Sequence, residues 1–175
     1  MDWATVLIAF FGVAGTLGAV FLLNYINERK ERRLKKEKEE ELKQKKRNEF
    51  FNAYSEMLEN EVICKRIWEL VNKESFKDKD IHIHRKNLEM QVNDIKGEQL
   101  STLRKNITLS NKEFSLVCGG MYSVIIFRDE MKYQLDLLYN EMLNLDEFRN
   151  YVKVRLDSLE KSREEVKEYL SSANF

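Results

Sequence analysis

Proline is absent from this chain of 175 residues, and only six residues are glycine. These two residue types end helices and form turns, so their scarcity predicts a few long helices rather than many short strands. Two cysteines, Cys64 and Cys118, stand far apart and lack the CxxC spacing of zinc and redox sites. We therefore expect an all-α fold with two reduced thiols.

Metal and cofactor sites also lack their usual patterns. The segment 81–84 alternates and suits either a short extended piece or the start of a helix. On a strand, His82 and His84 would face the same side and offer two metal nitrogens, but no Cys, Asp or His completes a known ligand spacing. A phosphate loop and a nucleophile elbow are missing as well. The sequence thus predicts no metal, no cofactor and no enzymatic activity.

Positive and negative charges balance, with 30 Lys or Arg against 30 Asp or Glu. The distribution is uneven, because residues 28–47 carry a net charge of +5 and residues 48–175 carry −4. A basic segment can follow nucleic acid, but no aromatic residue is interleaved in this one, so DNA is not an expected partner. We interpret it as a solvated helical connector, supported by i,i+4 pairs such as Glu28 and Arg32.

The first 27 residues carry one charged side chain, Asp2. The apolar run from Trp3 to Ile26 is long enough, as a helix, to cross about 30 Å of hydrocarbon. A basic cluster follows it: Arg29, Lys30, Arg32 and Arg33. By the positive-inside rule this cluster lies at the cytoplasmic membrane surface. The sequence therefore predicts a transmembrane helix over residues 1–27 of a bacterial inner-membrane protein, with its N-terminus outside and its C-terminal domain in the cytoplasm.

One face of this predicted span is small and weakly polar, whereas another is bulky. Small faces let two helices approach closely in a bilayer, so we expect self-association rather than an isolated anchor. The candidates for span packing or for a pore lining are Thr5, Gly12, Gly15, Thr16, Ala19, Asn24 and Asn27. The partners that this interpretation implies are the lipid bilayer and further copies of the chain.

Residues 48–175 are predicted to form a small bundle of four or five helices. Apolar residues recur at helical spacing over residues 48–73, and a shorter helix is expected over residues 94–106. The apolar face of the first of these helices contains Phe50, Phe51, Tyr54, Met57, Leu58, Val62, Ile67, Trp68 and Val71.

Two further helices have recognisable starts. Ser110 as N-cap and Glu113 as its capping-box partner begin a helix expected over residues 111–143, and Asp146 is predicted to cap the last helix. Two adjacent glycines, 119–120, cost about 2 kcal/mol in a helix interior, which predicts close packing or a kink there. The last helix has a seam of Phe148, Val152, Leu156, Leu159, Val166 and Leu170.

Small helical bundles of this kind include the HEPN ribonucleases, whose centre is an Arg followed shortly by a His. No Arg precedes His82 or His84 at that spacing. Two degenerate starts of the motif are present, Arg128-Asp129 and Arg149-Asn150, but no His follows either of them. We therefore expect a HEPN-like bundle without the standard nuclease centre.

The layout of span (1–27), basic connector (28–47) and helical domain (48–175) resembles the small membrane accessory protein of type VI-B CRISPR systems. The resemblance covers the whole chain and rests on this architecture and on the degenerate Arg-Asp and Arg-Asn pairs. It implies a divergent HEPN-like domain, assembly into a ring-shaped membrane pore, and a functional link to an RNA-guided RNase effector.

Three functions follow as hypotheses. The leading one is a homo-oligomeric membrane pore or membrane-perturbing effector, an accessory in CRISPR-linked antiphage defence. The second is a membrane-tethered adaptor that recruits a cytoplasmic partner through its helical domain. The third is a membrane-tethered ribonuclease.

Overall fold

The structure, a computed structural model, describes residues 2–106 and 108–173 and, within them, all side chains but those of residues 5–14, 78 and 79. All regular elements of the described part are helical, which confirms the all-α class. They are α1 (Trp3–Val71), α2 (Asp78–Asn93), α3 (Glu98–Arg104), α4 (Asn111–Met121), a π-helix (Tyr122–Ile126), α5 (Phe127–Tyr139) and α6 (Leu145–Ser172).

The N-terminal apolar run is part of α1, which continues without a break through the charged connector to Val71. Among the described residues, no helix combines the length and the apolar character needed to cross a membrane. This finding contradicts the predicted transmembrane helix, and with it the single-pass topology, the pore and the inner-membrane localisation that were derived from the span.

The chain divides into two compact units, Met1–Lys45 and Lys46–Phe175. The first unit is the N-terminal part of α1, whose described side chains are solvent-exposed, with Glu28 and Arg32 paired at 3.5 Å. That pair has the i,i+4 spacing expected from the sequence, and exposed pairs of this type contribute only a few tenths of a kcal/mol.

A single hydrophobic core fills the second unit. The last part of α1 contributes Phe50, Met57, Cys64 and Ile67, all nearly inaccessible to solvent. The predicted seam of α6 is buried from Phe148 to Val166, and Leu170 is half-buried against the core. Burial of the Cys64 thiol raises its pKa, as expected for a reduced and inert cysteine.

The buried apolar face of α1 is narrower than the face that the sequence predicts. Phe51, Leu58 and Val62 are exposed, whereas Phe50 and Met57 face the core. The apolar residues of this helix therefore form two stripes, of which only one is covered within the unit.

One local prediction needs correction, and the alternatives for the segment 81–84 are decided in favour of a helix. The segment 81–84 lies inside α2, so His82 and His84, two residues apart on a helix, point in different directions. Their rings lie near different partners, Tyr139 at 6.4 Å and Phe76 at 5.6 Å. The last helix is capped by Asn144 rather than Asp146, because the Asn144 side chain accepts a hydrogen bond from the backbone N–H of Glu147.

Candidate functional site

An apolar groove of about 290 Å³ opens on the surface of the second unit, beside the π-helix. Cys118 and Met121 lie at the end of α4, Tyr122 begins the π-helix, and Arg104 ends α3. The full lining is Arg104, Cys118, Met121, Tyr122, Ile125 and Ile126. Arg104 is the one charged residue in this lining, so the groove combines apolar walls with a positive charge.

The glycines that the sequence singled out explain how α4 reaches its neighbours. A Cβ on Gly120 would lie 3.1 Å from Leu100 Cδ2 and 3.5 Å from the Met57 side chain, whereas a Cβ on Gly119 would meet nothing within 4 Å. Close packing at Gly120 therefore agrees with the expectation from the sequence. Gly119 has no such packing role in the described part.

A second close contact fixes the π-helix from the side of α3. A Cβ on Gly97 would lie 2.4 Å from Ile125 Cγ1, so only a glycine leaves room for this isoleucine. The Ile125 side chain thus packs on Gly97, the residue that precedes α3, and the rest of the Ile125 surface lines the groove. This packing fixes the Ile125 side chain at one wall of the groove.

The π-helix also has a polar anchor on its inner side. Ser123 is buried, and its hydroxyl oxygen lies 2.8 Å from that of Ser162 and 3.5 Å from that of Ser158, both on α6. Such single-turn π segments insert a residue into a helix and are frequent at functional sites. Here the insertion turns Ser123 inward while Tyr122 is left 52% exposed.

The outer rim of this region is rigidified by an ion pair. Glu130 on α5 accepts hydrogen bonds from Arg155 and from the Tyr151 hydroxyl at 3.0 Å. The Arg155 guanidinium also lies 6.0 Å from the centre of the Tyr122 ring. Tyr122 is therefore positioned by a cation while one side of its ring faces solvent.

A larger and more polar cavity, of about 550 Å³, contains one of the degenerate HEPN-like pairs, Arg149-Asn150. The Arg149 guanidinium donates to the carbonyl oxygens of Val71 at 2.7 Å and Phe76 at 3.1 Å, and it pairs with Asp146 at 2.9 Å. These bonds close the connection between α1 and α2. Arg149 is thus a structural residue whose donors are occupied by protein atoms.

The other degenerate pair lies on a different helix. Arg128 and Asp129, on α5, pair with each other at 3.0 Å on the surface. No group of three or more His, Cys, Asp or Glu side chains suited to a metal is found among the described residues. The two degenerate pairs thus lie on different helices, α5 and α6.

The candidates from the predicted span all lie in α1. The side chains of Thr5 and Gly12 are outside the described residues. The other candidates are exposed: Gly15, Thr16, Ala19, Asn24 and Asn27. The basic residues of the predicted membrane surface are exposed on the same helix: Arg29, Lys30, Arg32 and Arg33.

The sequence analysis missed the polar residues on the buried face of α1. Asn60 binds the main chain of Lys96 twice, with its amide nitrogen 2.7 Å from the carbonyl oxygen and its amide oxygen 3.0 Å from the N–H. The Glu56 carboxylate accepts hydrogen bonds from the N–H groups of Gln99 at 2.9 Å and Leu100 at 3.4 Å, at the start of α3. A signal was available, because polar residues four apart within an apolar stripe indicate buried hydrogen bonds.

A second missed cluster joins α1, α4 and α6. Glu113 is buried, pairs with Lys46 at 2.6 Å and accepts hydrogen bonds from the Tyr169 hydroxyl and from the Ser110 N–H at 2.6 Å. Burial alone would raise the pKa of this carboxyl, but the bonds from Lys46, Tyr169 and Ser110 outweigh it and hold the pKa at about 2. The capping box was predicted, whereas its two long-range partners were not.

No protein-family model, curated protein or solved structure matches the chain. The groove, the polar cavity and the buried clusters are therefore interpreted from their own chemistry, and the resemblance to the type VI-B accessory protein stays a prediction.

Proposed function

We propose that the chain is an adaptor, whose second unit binds a protein partner by accepting an acidic amphipathic helix in the groove beside the π-helix. The observation that carries this proposal is the groove itself, an exposed apolar surface with Arg104 as its charged member. The sequence predicted a membrane-tethered adaptor, and the present proposal keeps only the recruitment of a partner through the helical domain.

The groove suits one helix face rather than an extended peptide. The lining residues from Cys118 to Ile126 follow one another along a helical segment about 12 Å long, which matches roughly two turns of a bound helix. A helix in such a groove is anchored by apolar residues at i, i+3 or i+4, and i+7. A carboxylate beside these anchors would meet Arg104, which sets the expected charge of the partner.

Exposed aromatic residues at the centre of an interface often dominate its energy. Tyr122 is half-exposed, and its ring is positioned by Arg155, so little conformational freedom is lost when a partner covers it. We therefore expect Tyr122→Ala to weaken partner binding by about 2 kcal/mol, roughly thirtyfold.

Site-specific photo-cross-linking in cells that naturally make the protein tests the proposal. A photoreactive phenylalanine analogue replaces Tyr122 in one variant and Tyr133, which is exposed on α5, in the control. We expect a discrete cross-linked product from position 122 that the control does not form. Mass spectrometry should place the linked peptide in an amphipathic helix that carries Asp or Glu.

A charge reversal completes the design. Arg104→Glu should reduce the yield of the product at position 122 about tenfold, because two carboxylates would then face each other. An identical product from both positions contradicts the proposal, as does a yield that Arg104→Glu leaves unchanged. A linked peptide from a second copy of this chain contradicts it too, because an adaptor requires a different partner.

A further inference from the structure

A second apolar surface lies on α1 and is independent of the groove. Phe51 is 59% exposed, Leu58 38% and Val62 49%. Spacings of seven and four residues place these side chains on one face of the helix. Large apolar side chains that line up on an exposed helix face are typical of protein interfaces, whereas single exposed residues are not.

Charged residues continue the same face at both ends. Arg47 lies four residues before Phe51, and Glu69 lies seven residues after Val62, and both are exposed. The stripe, defined as Arg47, Phe51, Leu58, Val62 and Glu69, is therefore basic at its start and acidic at its end. A helix with this polarity complements itself only when the partner runs in the opposite direction.

We infer that two copies of the chain associate through an antiparallel pair of α1 helices, with the stripe of one copy on the stripe of the other and Leu58 at the two-fold axis. A two-fold interface uses the same surface of both copies, so a self-complementary stripe is what it requires. Arg47 and Glu69 each lie eleven residues from Leu58. Each Arg47 therefore faces the Glu69 of the other copy, whereas a parallel pair would oppose like charges.

The remaining positions are compatible with this register. Val62 faces Tyr54, which is half-buried, and Phe51 faces Lys65. The Lys65 ammonium is 2.6 Å from Glu61 and 3.1 Å from Glu160 of its own chain. Its charge is thus neutralised within the chain, and its carbon stem is available to cover the Phe51 ring.

Cysteine cross-linking of the full-length chain tests whether Leu58 lies at the two-fold axis. Cys118→Ser removes the half-buried thiol, and Cys64 can remain because it is buried. In this background we expect Leu58→Cys to form a covalent dimer under mild oxidation, because residues at the axis approach within disulfide distance. Phe51→Cys is the control and should remain uncross-linked, because its two copies would be about 21 Å apart along the helices.

Charge reversal tests whether the two α1 helices run antiparallel. Arg47→Glu and Glu69→Arg, each alone, should weaken the dimer about tenfold in sedimentation equilibrium, because each opposes like charges twice. The double variant should restore the wild-type dissociation constant. Equal cross-linking at positions 51 and 58, a monomeric wild-type chain, or a double variant as weak as the single ones would each overturn the inference. None of these results depends on the groove or on the adaptor function.

Discussion

Replacing Glu113 by glutamine removes one buried charge and keeps the size of the side chain. The Ser110 N–H and the Lys46 ammonium, at 2.6 Å, both reach Oε2, whereas the Tyr169 hydroxyl reaches Oε1. The amide oxygen can take the place of Oε2 while the NH2 group donates to the Tyr169 hydroxyl oxygen, so the main loss is the negative charge that Lys46 neutralises. Three helices meet at this carboxyl, namely α1, α4 and α6. The substitution therefore probes the electrostatic part of their packing.

The expected loss of folding free energy follows from the depressed pKa of Glu113. The difference between the ordinary value of 4.5 and about 2 corresponds to about 3 kcal/mol of folding free energy, at about 1.4 kcal/mol per pH unit. A carboxyl whose pKa is lower in the folded state stabilises the fold above its unfolded pKa. This stabilisation is therefore complete above about pH 5 and is lost as the pH falls from 4.5 towards 2.

Urea unfolding followed by circular dichroism at pH 7, 4.5 and 2.5 measures the effect. The free energy of unfolding of Glu113→Gln should lie about 2 to 3 kcal/mol below that of the wild type at pH 7, and the gap should narrow as the pH falls. Glu165→Gln, at an exposed position on α6, is the control and should differ little from the wild type throughout. A gap for Glu113→Gln that stays constant from pH 7 to pH 2.5 would refute the electrostatic account.

Four further substitutions test the packing by thermal or urea unfolding. Gly97→Ala should destabilise the fold by about 1 to 3 kcal/mol through its contact with the π-helix, whereas Gly119→Ala, which meets no atom within 4 Å, should stabilise it by up to about 1 kcal/mol. Asn60→Leu should cost about 2 to 3 kcal/mol and accelerate hydrogen exchange at the Lys96 amide, which loses its acceptor. Arg149→Met should cost about 2 kcal/mol and release the connection between α1 and α2, detected as faster proteolysis there.

The accuracy of the sequence predictions depended on how local their physical cause is. The capping box of Ser110 and Glu113 spans three residues, and the structure has it as expected. The cap at Asp146 was misplaced by two residues, although Asn144 with Glu147 three residues later has the capping-box pattern and Asp146, followed by Arg149, does not. The period of apolar residues identified the last part of α1 and the seam of α6, whereas α2 was left open between an extended piece and a helix.

The candidate groove could not be predicted because its causes are distant in sequence. The inner side of the π-helix is held by the hydrogen bond between the Ser123 and Ser162 hydroxyls, and the packing of the Ile125 side chain requires a glycine at position 97. The adjacent glycines at 119–120 predicted close packing nearby but not which helix would pack against them. The predicted transmembrane helix is wrong because no helix among the described residues has the length and apolar character to cross a membrane, although its expected continuation into the charged helix is present in α1.

The position of the polar residues on α1 links the fold to the proposed interactions. On its inner face Asn60 and Glu56 bind main-chain groups of the segment that leads into α3, and these bonds fix one register between the two helices. Buried polar contacts of this kind specify a single arrangement, because any slip would leave them unpaired. Since the inner face of α1 is packed against the rest of the bundle, the exposed stripe through Leu58 lies on a rigid helix. A rigid helix face loses little entropy when it pairs with another helix, which makes even a small apolar stripe an effective contact surface.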